Sequence, residues 1–325
     1  MTSAGARATG TQASCQTLST QCSCGITDET SIHDTVSESE MALVGGDRAD
    51  SLLWLIGGSV VSLIVLPWTG VDLGTFMDSP ATFDAFPSWG FLLFALVSFI
   101  PLLIGVLVAY RLVLGVRLKH LFAARVPFRM WRVGWGALAW IITMAAPAIV
   151  AVIVAPESFR GDFNWVAFAP FAIVAIVLLP VQTTAEELFF RGWLIQGLSQ
   201  RTSNIWVLSI FSGLLFGLPH LANPEAIGAT LPALFTYSMV GFALAWVTVR
   251  DRSLEIAIGA HAANNLFAAI VVGYEGGALP AEAPFVSQGA PDWGVESLLG
   301  LVLIPLFIVL SRVGRTRLEA ARIQA

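Results

Sequence analysis

Apolar residues in this chain do not alternate with polar ones at helical or strand spacing; they run nearly unbroken for long stretches, yield to short polar segments, and resume. A helical run of about 20 apolar residues matches the hydrocarbon thickness of a bilayer. Eight such windows stand at roughly 51–68, 88–112, 133–155, 165–199, 204–221, 228–250, 254–274 and 296–313. The pattern predicts an all-α fold: a polytopic membrane bundle of about eight transmembrane helices over 51–313, with a polar tail over 1–50 and a basic tail over 314–325. The fourth window is too long to stand upright, and Pro170 and Pro180 give it places to kink.

The segments between windows carry an alternating charge bias. The 111–132 loop holds Arg111, Arg117, Lys119, Arg125, Arg129 and Arg132, and Arg201, Arg250, Arg252 and the tail with Arg312, Arg315, Arg317 and Arg322 are also basic. In contrast, 69–87 offers Asp72, Asp78 and Asp84, the 222–227 turn Glu225, and 275–295 Glu275, Glu282 and Asp292. Basic loops stay in the cytosol, which puts both termini there. Trp68, Trp89, Trp165 and Trp293 are expected in the aromatic belt of the opposite interface.

Composition agrees with the membrane class: 56% of residues are hydrophobic, 12% are charged, and the mean hydropathy is +0.77. The net charge of −5 says nothing about partners. Seven acids in residues 1–50 stand against Arg7 and Arg48, a difference of five that accounts for all of it. No basic patch for nucleic acid exists. Cys15, Cys22 and Cys24 lie in the same polar tail, too few and too poor in nearby histidine for a disulfide framework or a good metal site. That tail is expected to be disordered, and translation from Met41 would omit nothing the membrane domain needs. No positively charged, short apolar signal peptide opens the chain.

Three charges interrupt the fourth window, in Ala185-Glu186-Glu187-Leu188-Phe189-Phe190-Arg191-Gly192. An ionised side chain at mid-membrane costs roughly 2.5–3.5 kcal/mol, so such groups mark function by default. Residues four apart share a helix face: Glu187 can pair with Arg191, while Glu186 points about 100° away and stays free to take a proton. Two of the four histidines also fall inside windows, His220 in Phe216-Gly217-Leu218-Pro219-His220 and His261 in His261-Ala262-Ala263-Asn264-Asn265. At a rise of about 1.5 Å per residue, Glu186 and His220 both lie about 21–24 Å from the turn near 200–204 and meet at one depth. His261 counts only about 10 Å from the 250–253 turn, a mismatch that a tilted helix or a cavity open to the cytosol would absorb.

Each residue alone has a plainer reading. Glu187 with Arg191 is a structural ion pair, His220 a satisfied interfacial residue, and Asn264 and Asn265 hydrogen bonds between helices. Together with Glu186 they supply a base, imidazoles and an amide, the parts that activate water and hold an oxyanion. A proton-coupled transporter would use the same groups as a relay, and a bacteriocin-immunity or scaffold protein would keep them without turnover. No internal repeat supports the transporter. No His-Glu-x-x-His helix, Gly-x-Ser-x-Gly elbow or phosphate loop is present.

Glu186-Glu187-x-x-x-Arg191, Phe216-x-x-x-His220 and His261-x-x-x-Asn265, in that order on three membrane helices, resemble the motifs of the CPBP intramembrane proteases. That family includes the Ras-converting CAAX prenyl endopeptidases and the Abi proteins. The resemblance covers about 165–275 and implies an endopeptidase acting on prenylated CAAX-type tails or bacteriocin-type peptides among membrane lipids. It implies that Glu186 activates water with His220 as its partner, that His261 and Asn265 stabilise the oxyanion, and that Glu187 and Arg191 complete the first motif. Members are often called metalloproteases, and Glu186, His220 and His261 are the candidates for a zinc ion.

Overall fold

A computed structural model describes residues 56–71, 86–113, 115–123, 127–280 and 282–323, with backbone alone at 113 and 313–323. The polar tail over 1–50 with its cysteines, the Met41 start and most of the 69–87 loop lie outside the described residues, as do the side chains of the basic tail.

Six described helices are long and apolar enough to cross a membrane: α2 (Ser88–Leu112), α3 (Met130–Val154), α4 (Trp165–Leu198), α5 (Ile205–Ala222), α6 (Thr230–Asp251) and α8 (Trp293–Ile323, of which Trp293–Arg312 is the span). Two shorter helices, α1 (Gly58–Thr69) and α7 (Glu255–Ile270), fill the remaining windows. The expected polytopic helical bundle is therefore observed, with six full spans among the described residues.

Local chemistry sets the ends of these helices. Asn164 and Asn204 cap α4 and α5, each side-chain oxygen accepting from the backbone N–H groups of the second and third residues of its helix, at 2.9 and 3.4 Å. Arg252, at φ 53°, closes α6 in the left-handed conformation. The predicted seventh window stops at Ile270, where β-branched Val271 and Val272 favour extended backbone. Strand β1 (Val272–Tyr274) pairs in parallel with β2 (Phe285–Ser287), and Phe159 bridges Ser287 from the α3–α4 connection. These strands cap one end of the bundle. Pro170 and Pro180 do not interrupt α4, which runs through both.

Helix α7 is the inner helix of the fold. At 16 residues it is too short for a full span, and every residue from Glu255 to His261 is buried. Its small residues permit backbone contact with α3: a Cβ on Gly259 would lie 1.9 Å from the Val133 carbonyl oxygen, and one on Gly136 would lie 2.3 Å from that of Ile256. Trp140, Leu244, Val247 and Phe307 close the core around it, whereas Ile149, Ile153, Ile173 and Val177 face outward as lipid-contacting side chains.

The turn between α6 and α7 is largely buried, with Arg252 exposed. Asp251, Ser253 and Glu255 are all buried, the Leu254 N–H donates to the Phe122 carbonyl at 3.0 Å, and Ser253 bridges Ala123. Arg132 pairs with Asp251 and, at 3.1 Å, with Glu255; Arg250 reaches Asp251 at 2.7 Å. Arg132 is thus a buried residue of α3, and not a loop charge in the sense used to orient the chain. Trp293 also departs from expectation: it is buried, and its indole donates to the Glu225 carbonyl at 2.9 Å, so it does not join the aromatic belt.

Because Gly259 meets backbone and not a yielding side chain, Gly259→Ala is expected to destabilise the protein by at least about 1–3 kcal/mol. Thermal unfolding in detergent, with Gly134→Ala as the control in open space, checks this.

Candidate active site

Helix α4 keeps α-helical turns to Glu187 and then widens into π-type turns over Leu188–Leu194, a distortion found often at functional sites. Glu186, Glu187 and Arg191 are all buried there. Arg191 Nη1 donates to Glu187 Oε1 at 2.9 Å, and Nη2 donates to the Gly241 carbonyl on α6 at 3.0 Å. The guanidinium also lies 4.4 Å over the Phe216 ring.

Glu187 does more than neutralise Arg191. The same Oε1 faces Nδ1 of His261 at 2.7 Å, so one carboxylate oxygen ties α4 to α7. The other imidazole nitrogen, Nε2, stands 3.6 Å from Glu186 Oε2, beyond a direct hydrogen bond. His261 therefore sits between the paired glutamates. Despite the difference in residue count from its turn, His261 stands beside both glutamates.

His220 lies in a tight terminal turn of α5, Pro219–Ala222. Its Nδ1 meets the Phe216 carbonyl oxygen at 2.7 Å. A carbonyl can only accept, so Nδ1 carries the hydrogen and Nε2 is the lone pair of the neutral ring. The Phe216 ring lies 4.6 Å from His220 and 5.4 Å from His261, centre to centre, and separates them. Glu186 and His261 are both within Coulombic reach of His220.

Asn265, four residues after His261 on α7, reaches across to α4. Its Nδ2 donates to Gln182 Oε1 at 3.0 Å, and Gln182 Nε2 donates to Glu186 Oε1 at 2.6 Å. Glu186 Oε2 is buried with no hydrogen-bond partner among the described residues. The two oxygens of Glu186 are thus unlike: one is held, the other is free to take a proton.

Sequence reasoning missed a polar group beside His220. Tyr237 stacks on the His220 ring at 4.6 Å, and its hydroxyl donates to Glu225 at 2.7 Å. Glu225, expected as a loop charge, is buried and also accepts from the Tyr274 hydroxyl, the Asn223 amide and the Ala278 N–H. Burial first, and then the neighbouring Tyr237 and Glu225, push the Tyr274 pKa up, so its hydroxyl stays a donor. Two of the chain's three tyrosines converge on this carboxylate. Gln182 carried a legible signal, being four residues before Glu186 on one face. The Glu225 cluster carried none, since it joins segments far apart in sequence.

The three motif helices bring carboxylates, imidazoles and amides to one buried centre inside a polytopic bundle. A family model for the type II CAAX prenyl endopeptidase Rce1-like proteins matches residues 165–267, the stretch that contains every one of these motifs. An uncharacterized Bacillus subtilis (strain 168) protein, YyaK, is 33% identical over 236 residues, covering 71% of this chain and 76% of that protein. No solved structure matches. The chain belongs to the Rce1-like family of CPBP intramembrane proteases, and it is a multi-pass integral membrane protein.

Removing either partner of the buried Glu187–Arg191 pair leaves an uncompensated charge. Glu187→Ala and Arg191→Ala are each expected to lose about 3–5 kcal/mol of stability. The paired double substitution should lose less than their sum, which thermal melts of the three variants would measure.

Proposed function

We propose that this protein is an endopeptidase that hydrolyses a peptide bond within the membrane by means of water activated by Glu186. The observation that carries the reading is the free, buried Oε2 of Glu186 facing His261 Nε2 at 3.6 Å. In the first step Oε2 accepts a proton from water as the water oxygen bonds to the scissile carbonyl carbon, and the carbonyl oxygen becomes an oxyanion. The oxyanion is met by His261 Nε2–H and by the Nδ2 hydrogen of Asn265 that Gln182 does not take. When His261 carries both protons, its charge and that of Arg191 balance Glu186 and Glu187.

In the second step the carbonyl re-forms, the C–N bond breaks, and the leaving nitrogen takes the proton held on Glu186, directly or through His220 Nε2. Arg191 holds Glu187, and Glu187 holds His261, so those two residues position the centre and do not touch the reacting atoms.

Among the described residues, no three His, Cys, Asp or Glu side chains are gathered as a metal ion would require. Glu186, His220 and His261 as placed do not fit a three-ligand zinc site, and no step above is routed through one. A prenylated carboxy-terminal tail suits a site among lipid-facing helices, because its isoprenoid chain prefers hydrocarbon. The family description supports that substrate over a bacteriocin-type peptide. The basic 111–132 loop supports cytoplasmic termini, with Arg132 removed from the count.

Purified protein in lipid vesicles is expected to cleave a quenched, prenylated CAAX peptide, and Glu186→Gln to lower kcat by roughly 10²–10⁴. Normal turnover by Glu186→Gln would refute the assigned base. Activity is expected to survive exhaustive chelation; loss restored by added zinc would assign a metal to the site.

A further inference from the structure

Beyond Gln182, the hydrogen bonds that reach Glu186 continue across α7 to α3. Trp140 Nε1 donates to Asn264 Oδ1 at 3.1 Å, Asn264 Nδ2 donates to Asn265 Oδ1 at 3.0 Å, Asn265 Nδ2 donates to Gln182 Oε1, and Gln182 Nε2 donates to Glu186 Oε1. Three amides stand in series, each accepting at its oxygen and donating at its nitrogen. An amide can be turned end for end with little change of shape, so its own packing hardly fixes its direction.

The ends of the series fix it. An indole N–H can only donate, and Trp140 is almost wholly buried with its ring 4.8 Å from Phe307. A carboxylate can only accept. Inverting all three amides would set an amide NH2 against the indole N–H at one end and an amide oxygen against Glu186 at the other. One orientation satisfies every link.

We infer that Trp140, Asn264 and Gln182 are positioning residues for the reaction: a polarity-fixed amide relay, anchored by the Trp140 indole, commits Glu186 Oε1 as an acceptor and presents Oε2 as the base. The relay sets Asn265 at the same time, by occupying its oxygen and one amide hydrogen and turning the remaining N–H toward the reacting centre. This inference rests on the proposed role of Glu186. It explains why an asparagine pair stands at 264 and 265, one member anchoring and the other facing the centre. A packing role alone would need neither the amide direction nor the indole nitrogen.

The test compares Trp140→Phe, Gln182→Leu, Asn264→Ala and Asn264→Asp in vesicles, with melting temperatures to confirm folding. Trp140→Phe is expected to lower kcat about tenfold with KM little changed, the effect of one lost hydrogen bond acting through the base. In the Gln182→Leu background the same substitution is expected to lower kcat by less, since the link to Glu186 is already cut and only Asn265 is still held from the indole. Equal effects in both backgrounds would overturn the relay.

Asn264→Asp keeps the shape but accepts from both Trp140 and Asn265, which turns Asn265 and Gln182 around and brings Gln182 Oε1 against Glu186. Folded Asn264→Asp is expected to be less active than Asn264→Ala, and the reverse order would count against the proposal. A readout free of turnover separates this inference from the protease reading. The carboxylate infrared band of Glu186, isolated by subtracting the Glu186→Gln spectrum, is expected to shift in Trp140→Phe. An unmoved band would refute the relay even if the peptide is cleaved, and a shifted band would sustain it even if the peptide is not.

Discussion

The structure depends on neutralising charge where water cannot. Glu187 Oε1 receives both Arg191 Nη1 and His261 Nδ1, and this single carboxylate oxygen joins the two charged helices of the centre. In an apolar bundle an unpaired ion costs far more than at a surface, so each charge needs a partner and each partner fixes a helix. The register of α4 against α7, and with it the place of Glu186, follows from that requirement. The same constraint recurs at the α6–α7 turn, where Asp251 and Glu255 are held by Arg132.

The inner position of α7 links packing to chemistry. Gly136 and Gly259 allow α3 and α7 to touch backbone to backbone, and His261 on α7 stands beside both glutamates. That contact also brings Trp140 to Asn264. Small side chains on α7 thus do what larger apolar ones would prevent. Phe216 plays a related part: one ring lies under Arg191 and beside both histidines, an apolar wall against the polar centre.

Around that centre, rigidity comes from hydrogen bonds whose directions are not interchangeable. His220 is turned by the Phe216 carbonyl and faced by Tyr237, whose hydroxyl is held by Glu225. Glu186 is approached on one oxygen and left open on the other. The two oxygens of Glu186 thereby stand in different surroundings.

Much of this organisation is legible in the residues alone. Windows of apolar residues determine the helices, because a backbone in hydrocarbon must satisfy its own hydrogen bonds. Four-residue spacing determines the Glu187–Arg191 pair, a local interaction set by helix geometry. Three motifs in order point to one centre and to its family. What the chain by itself does not decide are pairings between distant segments: His261 with Glu187, Asn265 with Gln182, Glu225 with Tyr237 and Tyr274, and Trp293 drawn inward to the Glu225 carbonyl. Hydropathy also treats Arg132 and Glu225 as loop charges, since a buried ion and a solvated one read alike in sequence. Only the tertiary structure tells them apart, because burial and partnership depend on which helices meet, and that is settled by side-chain size and by long-range charge pairing, not by local periodicity.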